Sequence, residues 1–236
     1  MAAEEAIVLV GGLGTRLRAV VSDVPKPLAP VAGRPFLAWV LDHYAACGLR
    51  RVILATGYRS GQVEAAIGRR WQDMEIAYSV EDAPLGTGGA IARALGGVQG
   101  DGVHLANGDT FLRYGPAALE SATRTAGCAL GIALAAVTDV GRYGAVEVEN
   151  GRVVGFREKH GMGPGLINAG SYFLAAEAFC RLPRAEGAWS FEEQVLRPWS
   201  EAAQVAAFDR TADFIDIGVP EDYRRAQRLF QPDIGT

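Results

Sequence analysis

The stretch Ala6-Ile7-Val8-Leu9-Val10 runs directly into Gly11-Gly12-Leu13-Gly14-Thr15-Arg16-Leu17, and this junction decides how the rest of the 236-residue chain is read. Five consecutive apolar residues, rich in β-branched types and ending in glycines, read as a strand buried on both faces. Glycine lets the backbone approach a ligand and adopt positive φ, and its N–H groups can point at an anion. Arg16 adds a planar guanidinium suited to phosphate. The same residues also fit a tight strand-to-helix turn with an exposed arginine. Two phosphate loops are excluded: Gly-Lys-Ser/Thr is absent, and a dinucleotide fingerprint would want glycine where Leu17 stands.

Outward from this junction the chain alternates. Pro35 opens a helical pattern with Phe36, Leu37, Val40, Leu41 and Tyr44 on one face, and Gly48 is its stop signal. Arg51 to Ala55 is a second buried strand, and Ser60 is placed to cap a helix running through Arg70. Met74 to Val80 alternates as a strand, Thr87 to Leu95 reads as a helix, and Val103 to Ala106 as another buried strand. Such a β-α-β-α order predicts an α/β protein with a three-layer, mostly parallel sheet.

After Leu119 the pattern changes. Leu130 to Val137, Ala145 to Val148, Val153 to Phe156 and Leu166 to Leu174 read as strands, and Asn150-Gly151 is a strong hairpin signal. Ser190 with Glu193 three residues on matches a capping box. Val205 to Phe208 and Phe214 to Ile217 are further strands, and a helix is predicted from Pro220 to Leu229. No Gly/Ser linker, low-complexity tract or internal repeat divides the chain. One domain over 1–236 is expected, with a first half of about 1–110 and a more antiparallel half of about 111–236.

Composition narrows the function classes. With 23 Lys+Arg against 27 Asp+Glu the net charge is -4, which gives no electrostatic footprint for nucleic acid. The longest mostly apolar stretch, Cys128 to Val137, is far short of the ~20 residues that span a bilayer. The acidic N-terminus has no basic n-region, and Cys47, Cys128 and Cys180 form no CxxC pair. A cytoplasmic protein without membrane or nucleic-acid partners is the expectation, and nothing specifies or excludes a homo-oligomer.

Lys26 stands between Pro25 and Pro27, where both rings stiffen the chain and neither supplies a donor. A lysine on so rigid a segment is either a positioned charge or a turn residue. Asp109 closes Asn107-Gly108-Asp109 after a buried strand, and Asp216 ends another. Taken alone, each aspartate also fits a turn or helix cap.

Together, G-G-L-G-T-R-L followed by P-K-P-L closely resembles the opening signature of the sugar-1-phosphate nucleotidylyltransferases. Leu85-Gly86-Thr87-Gly88-Gly89, Asn107-Gly108-Asp109, Glu158-Lys159, Gly165-Leu166-Ile167-Asn168-Ala169-Gly170 and Asp216-Ile217-Gly218 extend the resemblance over nearly the whole chain. It implies a Rossmann-like, GT-A-type nucleotidyltransferase fold and a reaction between a nucleoside triphosphate and a sugar 1-phosphate that releases pyrophosphate. Arg16, Lys26 and Asp109 take the catalytic positions. Val10, Gly11, Gly12, Gly14, Thr15, Glu81, Gly86, Thr87 and Asn107 fall on nucleotide-binding positions. Gly144, Glu158, Lys159 and Asn168 fall on those for the sugar phosphate. Asp109 and Asp216 are the implied Mg²⁺ ligands, in keeping with the one or two carboxylates Mg²⁺ usually takes.

The chemistry agrees with these residue types. A phosphate monoester, with a second pKa near 6, is already largely dianionic at pH 7, so the nucleophile needs no base and positive charge is what the protein must supply. In the family the position of Glu81 reaches the base edge. A carboxylate only accepts hydrogen bonds, which suits the adjacent N–H donors of guanine and predicts GTP; a uridylyl-transferring relative is the other reading, and a solvated strand-end charge the bland one. His160-Gly161 departs from the proline that many relatives carry after Glu-Lys. A non-catalytic nucleotide-sugar-binding module would be free to lose the charged set that this chain retains. The three histidines are isolated, none with a second histidine four residues on to share a metal, and Trp39, Trp71, Trp189 and Trp199 read as core or edge packing.

Overall fold

The computed structural model describes residues 2–11, 24–57, 59–157 and 162–231. The opening apolar run is β1 (Glu5–Leu9). A small ribbon, β2 (Pro30–Val31) and β3 (Arg34–Pro35), leads into α1 (Phe36–Ala46). Then come β4 (Arg51–Thr56), α2 (Ser60–Ile67), β5 (Arg70–Trp71), β6 (Met74–Val80), α3 (Gly86–Leu95) and β7 (Gly102–Asn107). The second half holds β8 (Thr110–Arg113), α4 (Pro116–Thr125), β9 (Leu130–Val137), β10 (Val146–Glu149), β11 (Arg152–Phe156), β12 (Gly165–Ala175) and α5 (Ala176–Phe179). A π-helical stretch, Glu192–Leu196, continues into α6 (Arg197–Glu201), followed by β13 (Val205–Phe208), β14 (Ala212–Asp216) and α7 (Pro220–Leu229).

Ten strands form one mixed sheet in the order β10-β11-β13-β9-β12-β7-β1-β4-β6-β5. Tracing the pairings, β5, β11 and β12 run against the other seven, so the sheet is mostly parallel, with β7-β1-β4-β6 as its parallel core. Alternate residues of β1 explain the three layers. Ala6 and Val8 face a core shared with α1, α2, α4 and α7, including Phe36, Leu41, Tyr44 and Leu119. Ile7 faces the opposite core, with Ile91 of α3, Phe191 and Leu196. Ile7 is fully buried, a contribution of roughly 1.5–3 kcal/mol for one side chain.

The hairpin signal is realised: Asn150 and Gly151 both have positive φ, 48° and 74°, between β10 and β11. The helix expected from Ser60 through Arg70 is shorter. Gly68, at φ 76°, ends it after Ile67, and Arg70–Trp71 pairs antiparallel with β6 instead. A left-handed glycine stops a helix where the apolar pattern alone does not.

Candidate active site

Strand order reverses beside β1: the chain moves to β4 and β6 on one side, then returns to place β7 on the other. Ligands of open α/β sheets bind outside the carboxyl ends of the strands at such a switch point. There the Gly108 N–H donates to the Leu9 carbonyl at 2.8 Å, and the Val10 N–H to the Ala55 carbonyl at 2.9 Å. A Cβ on Gly108 would lie 2.7 Å from the Leu9 oxygen, so only glycine permits this approach. Gly11, Asn107 and Asp109 are thereby carried to one edge.

Lys26 opens a 3-10 turn, Lys26–Leu28, between its two prolines. Its ammonium lies 2.5 Å from Asp109 Oδ2 and 3.4 Å from Asp216 Oδ1. The two carboxylates meet because β8 and β14 pair antiparallel, with Asp216 opposite Thr110 and the Ile217 N–H donating to the Asp109 carbonyl at 3.0 Å. The Gly218 N–H donates to Asp216 Oδ1 at 2.7 Å. Burial pushes the Asp216 carboxyl above its usual range; Lys26 opposes the shift and Asp109 adds to it.

These carboxylates suit a hard divalent cation. Among the described residues no group of three or more His, Cys, Asp or Glu could hold a metal ion. Asp109 and Asp216 are the pair that would hold such a cation, with phosphate oxygens and water left to complete its shell.

A cleft of about 720 Å³ extends from Leu9 and Gly11 across Gly57 and Glu81 to Gly86 and Thr87. Glu81 is fixed in it: Oε2 accepts the Leu85 N–H at 2.7 Å, and the Glu81 N–H donates to the Thr56 carbonyl at 2.8 Å. Oε1 faces backbone stripped of side chains, since a Cβ on Gly11 would come within 2.8 Å of it and one on Gly57 within 3.0 Å. The start of α3 is thus served by carboxylates, while the ammonium of Lys26 belongs to the Asp109–Asp216 edge. That polarity suits a ligand with its anionic end toward Lys26 and its donor-bearing end toward Glu81.

The other expected positions are placed as follows. Gly86 turns the chain at φ 69° where α3 begins. The Thr87 hydroxyl donates to Glu192 at 2.7 Å and accepts the Phe191 N–H at 2.9 Å. Asn107 packs under Gly170, whose added Cβ would lie 2.5 Å from Asn107 Nδ2. The Asn168 amide is engaged with the Tyr172 hydroxyl and the Gly170 N–H, across the irregularity in β12 between Asn168 and Ser171. Gly144, at φ 81°, donates to the Val140 carbonyl at 2.9 Å. Gly12, Gly14, Thr15, Arg16, Glu158 and Lys159 lie outside the described residues.

Sequence reasoning missed the role of the segment 189–192. Trp189 packs on Gly88, where a Cβ would sit 1.9 Å from the indole ring. Ser190 does accept the Glu193 N–H at 3.2 Å, as the capping pattern predicts, but Glu192 is the carboxylate that takes the serine hydroxyl, at 3.0 Å. The capping box is the signal that this segment is structured; nothing in it announces Thr87, the partner 105 residues before Glu192.

The family model for nucleotidyl transferases matches residues 5–231. A D-glycero-α-D-manno-heptose 1-phosphate guanylyltransferase of Aneurinibacillus thermoaerophilus is 39% identical over 96% of this chain and 98% of its own length. One of the same description from Campylobacter jejuni is 38% identical over 93% of this chain and 96% of its own. HddC of Yersinia pseudotuberculosis, solved with GMP-PN, superposes with a TM-score of 0.84 at 32% identity, covering 98% of this chain and all of that one.

Proposed function

Because the chain belongs to the nucleotidyl transferase family, we propose that it transfers a guanylyl group from GTP to D-glycero-α-D-manno-heptose 1-phosphate, releasing pyrophosphate. The product, a GDP-heptose, is an activated donor for bacterial surface glycans, made where the cytoplasm supplies GTP. Among the described residues no helix is long and apolar enough to cross a membrane.

The observation that carries this reading is the Lys26 ammonium held between two strand-end carboxylates, one of them next in sequence to Gly108, whose N–H bonds the Leu9 carbonyl at the margin of the cleft that Glu81 lines. In the reaction an oxygen of the sugar phosphate attacks the α-phosphorus in line. A new P–O bond forms, the bond to the β-phosphate breaks, and pyrophosphate leaves with its electron pair. No general base is required, because the nucleophile is already anionic. Lys26 lies where it can shift from its carboxylate partners to the crowded phosphate oxygens, stabilising charge as it spreads in the transition state. Mg²⁺, when bound by Asp109 and Asp216, supplies further neutralisation there. By the family resemblance Arg16 and the glycine loop would hold the leaving phosphates, Lys159 would neutralise the sugar phosphate, and Glu158 would accept hydrogen bonds from sugar hydroxyls. Glu81 accepts from the guanine N1–H and amino group.

The test is pyrophosphate release over a matrix of the four nucleoside triphosphates against heptose, mannose, glucose and N-acetylmuramate 1-phosphates. GTP with the heptose phosphate should lead. A preference for UTP with N-acetylmuramate 1-phosphate would make the chain a uridylyltransferase, and silence across the matrix would make it a binding module.

A further inference from the structure

Three glycines in four positions, Gly86, Gly88 and Gly89, leave the first turn of α3 with little stiffness of its own, although it walls the nucleotide cleft. The stiffness comes from elsewhere. Main-chain bonds tie it to one tryptophan, the Gly88 N–H donating to the Trp189 carbonyl at 3.0 Å and the Trp189 N–H to the Leu85 carbonyl at 2.9 Å. Beside them a side-chain latch closes: a single oxygen, Glu192 Oε2, accepts both the Thr87 hydroxyl at 2.7 Å and the Ser190 hydroxyl at 3.0 Å. Thr87 in turn accepts the Phe191 N–H, so one hydroxyl joins helix and segment in both directions.

The same segment also packs on β12. Phe191 packs edge-on against the Tyr172 ring at 5.3 Å, and Tyr172 holds Asn168 on β12. Burial and the Glu192 charge both push the Tyr172 phenol upward, which keeps it a hydroxyl donor for Asn168. The latch therefore stands between the nucleotide wall and a strand of the sugar side.

We propose that Glu192 is a positioning residue for the nucleotide: by gathering the Thr87 and Ser190 hydroxyls on one oxygen it sets the first turn of α3, and through it the affinity of the cleft for GTP. This rests on the guanylyltransferase reading only for the identity of the nucleotide. Glu192 itself makes no contact with the Lys26–Asp109–Asp216 centre, so its removal acts on binding rather than on the chemical step.

The experiment measures GTP KM and kcat together with calorimetric binding of a non-hydrolysable GTP analogue, using the full chain and Glu192→Ala, Glu192→Gln, Thr87→Val and the Glu192→Ala/Thr87→Val double variant. Glu192→Ala and Thr87→Val should each raise the analogue Kd and the GTP KM about tenfold, with kcat changed less than threefold. The double variant should fall short of the product of the two singles, because the Thr87–Glu192 bond is lost in both. Glu192→Gln should recover most of the affinity, since its carbonyl oxygen can accept both hydroxyls. Multiplying effects in the double variant, or a lowered melting temperature with unmoved Kd and KM, would overturn the proposal. Should Glu192→Ala not fold, Glu192→Asp takes its place, since its shorter side chain cannot reach both hydroxyls: a raised analogue Kd with retained kcat supports the latch, and wild-type affinity rejects it. The same calorimetry on the wild-type chain with GTP and UTP analogues separates this outcome from an error in the nucleotide: tight binding of UTP alone condemns the guanylyl reading, and the variants are then compared on UTP.

Discussion

Asp109 and Asp216 are held in register by the chain itself: the Ile217 N–H donates to the Asp109 carbonyl at 3.0 Å, and Asp216 faces Thr110 across the β8–β14 pair. Both carboxylates consequently reach one ammonium. If they also share one Mg²⁺ during turnover, Asp109→Asn and Asp216→Asn should each collapse activity at low Mg²⁺ and regain part of it as Mg²⁺ is raised. Titrating Mg²⁺ against initial rate checks this, and a variant whose Mg²⁺ requirement is unchanged would remove that aspartate from the ligand set.

Lys26→Ala should lower kcat by at least two orders of magnitude in a folded protein, in line with the ~3–4 kcal/mol that one positioned donor contributes to an oxyanion-like transition state. Lys26→Arg should not rescue it. The ammonium is nearly buried between carboxylate oxygens at 2.5 and 3.4 Å, a point-charge geometry that a wider, planar guanidinium does not reproduce. Steady-state rates beside a circular dichroism spectrum decide the matter.

Glu81→Gln should weaken GTP use by ~1–3 kcal/mol, the range for a hydrogen bond to a charged group, and narrow the preference over UTP. The amide keeps the size of the side chain and can still serve the Leu85 N–H, so the change isolates what the base meets. Parallel kcat/KM values for the two triphosphates provide the readout, and an unaltered ratio would clear Glu81 of any part in selecting the base.

His104 of β7 is fully buried, 5.3 Å from the Phe173 ring, and burial drives its pKa from 6.5 down to about 3. The folded protein keeps this imidazole neutral, whereas the unfolded chain takes up a proton below about 6.5. Stability should therefore fall as pH drops from 6.5 toward 3, by roughly 1 kcal/mol per pH unit from this group. Urea unfolding of wild type and His104→Leu between pH 7 and 4 tests it: the variant should show the shallower acid slope, and identical slopes would exonerate His104.

Gly88→Ala should destabilise the fold, because the new methyl would lie 1.9 Å from the Trp189 ring. Overpacking of this kind typically costs 1–3 kcal/mol. Pairing it with Trp189→Leu should recover part of the loss in a thermal melt, whereas a double variant worse than the sum of the singles would place the conflict elsewhere.

Much of this architecture was legible because hydrophobic periodicity is a local property. Met74–Val80, Leu130–Val137, Val205–Phe208 and Pro220–Leu229 occupy the bounds their patterns predict. What stayed hidden depends on residues distant in sequence. The register shift in β12 between Asn168 and Ser171 answers to Asn107 packing under Gly170, and no pattern within β12 encodes that neighbour. The glycines of Leu85-Gly86-Thr87-Gly88-Gly89 look like ligand-binding residues by type, yet Gly88 exists to admit Trp189. Lys26, Asp109 and Asp216 could be named singly from their strand ends and prolines; that one ammonium joins them follows from the β8–β14 pairing, which neither segment announces by itself.

The order of strands across the sheet differs from their order along the chain, and this has a consequence for the growing polypeptide. β13 is the strand through which the β10–β11 hairpin joins β9, and β14 brings in Asp216. At ~5–20 residues added per second, a nascent chain carries Lys26 and Asp109 for roughly 5–20 s before Asp216 has been made. Within that interval the hairpin, complete at Phe156, has no β13 to dock on until Phe208 is made, and the lysine has only one of its two carboxylates until Asp216. The three-residue charge centre is therefore assembled only once Asp216 has emerged, and a chain interrupted before it carries the lysine without its second carboxylate.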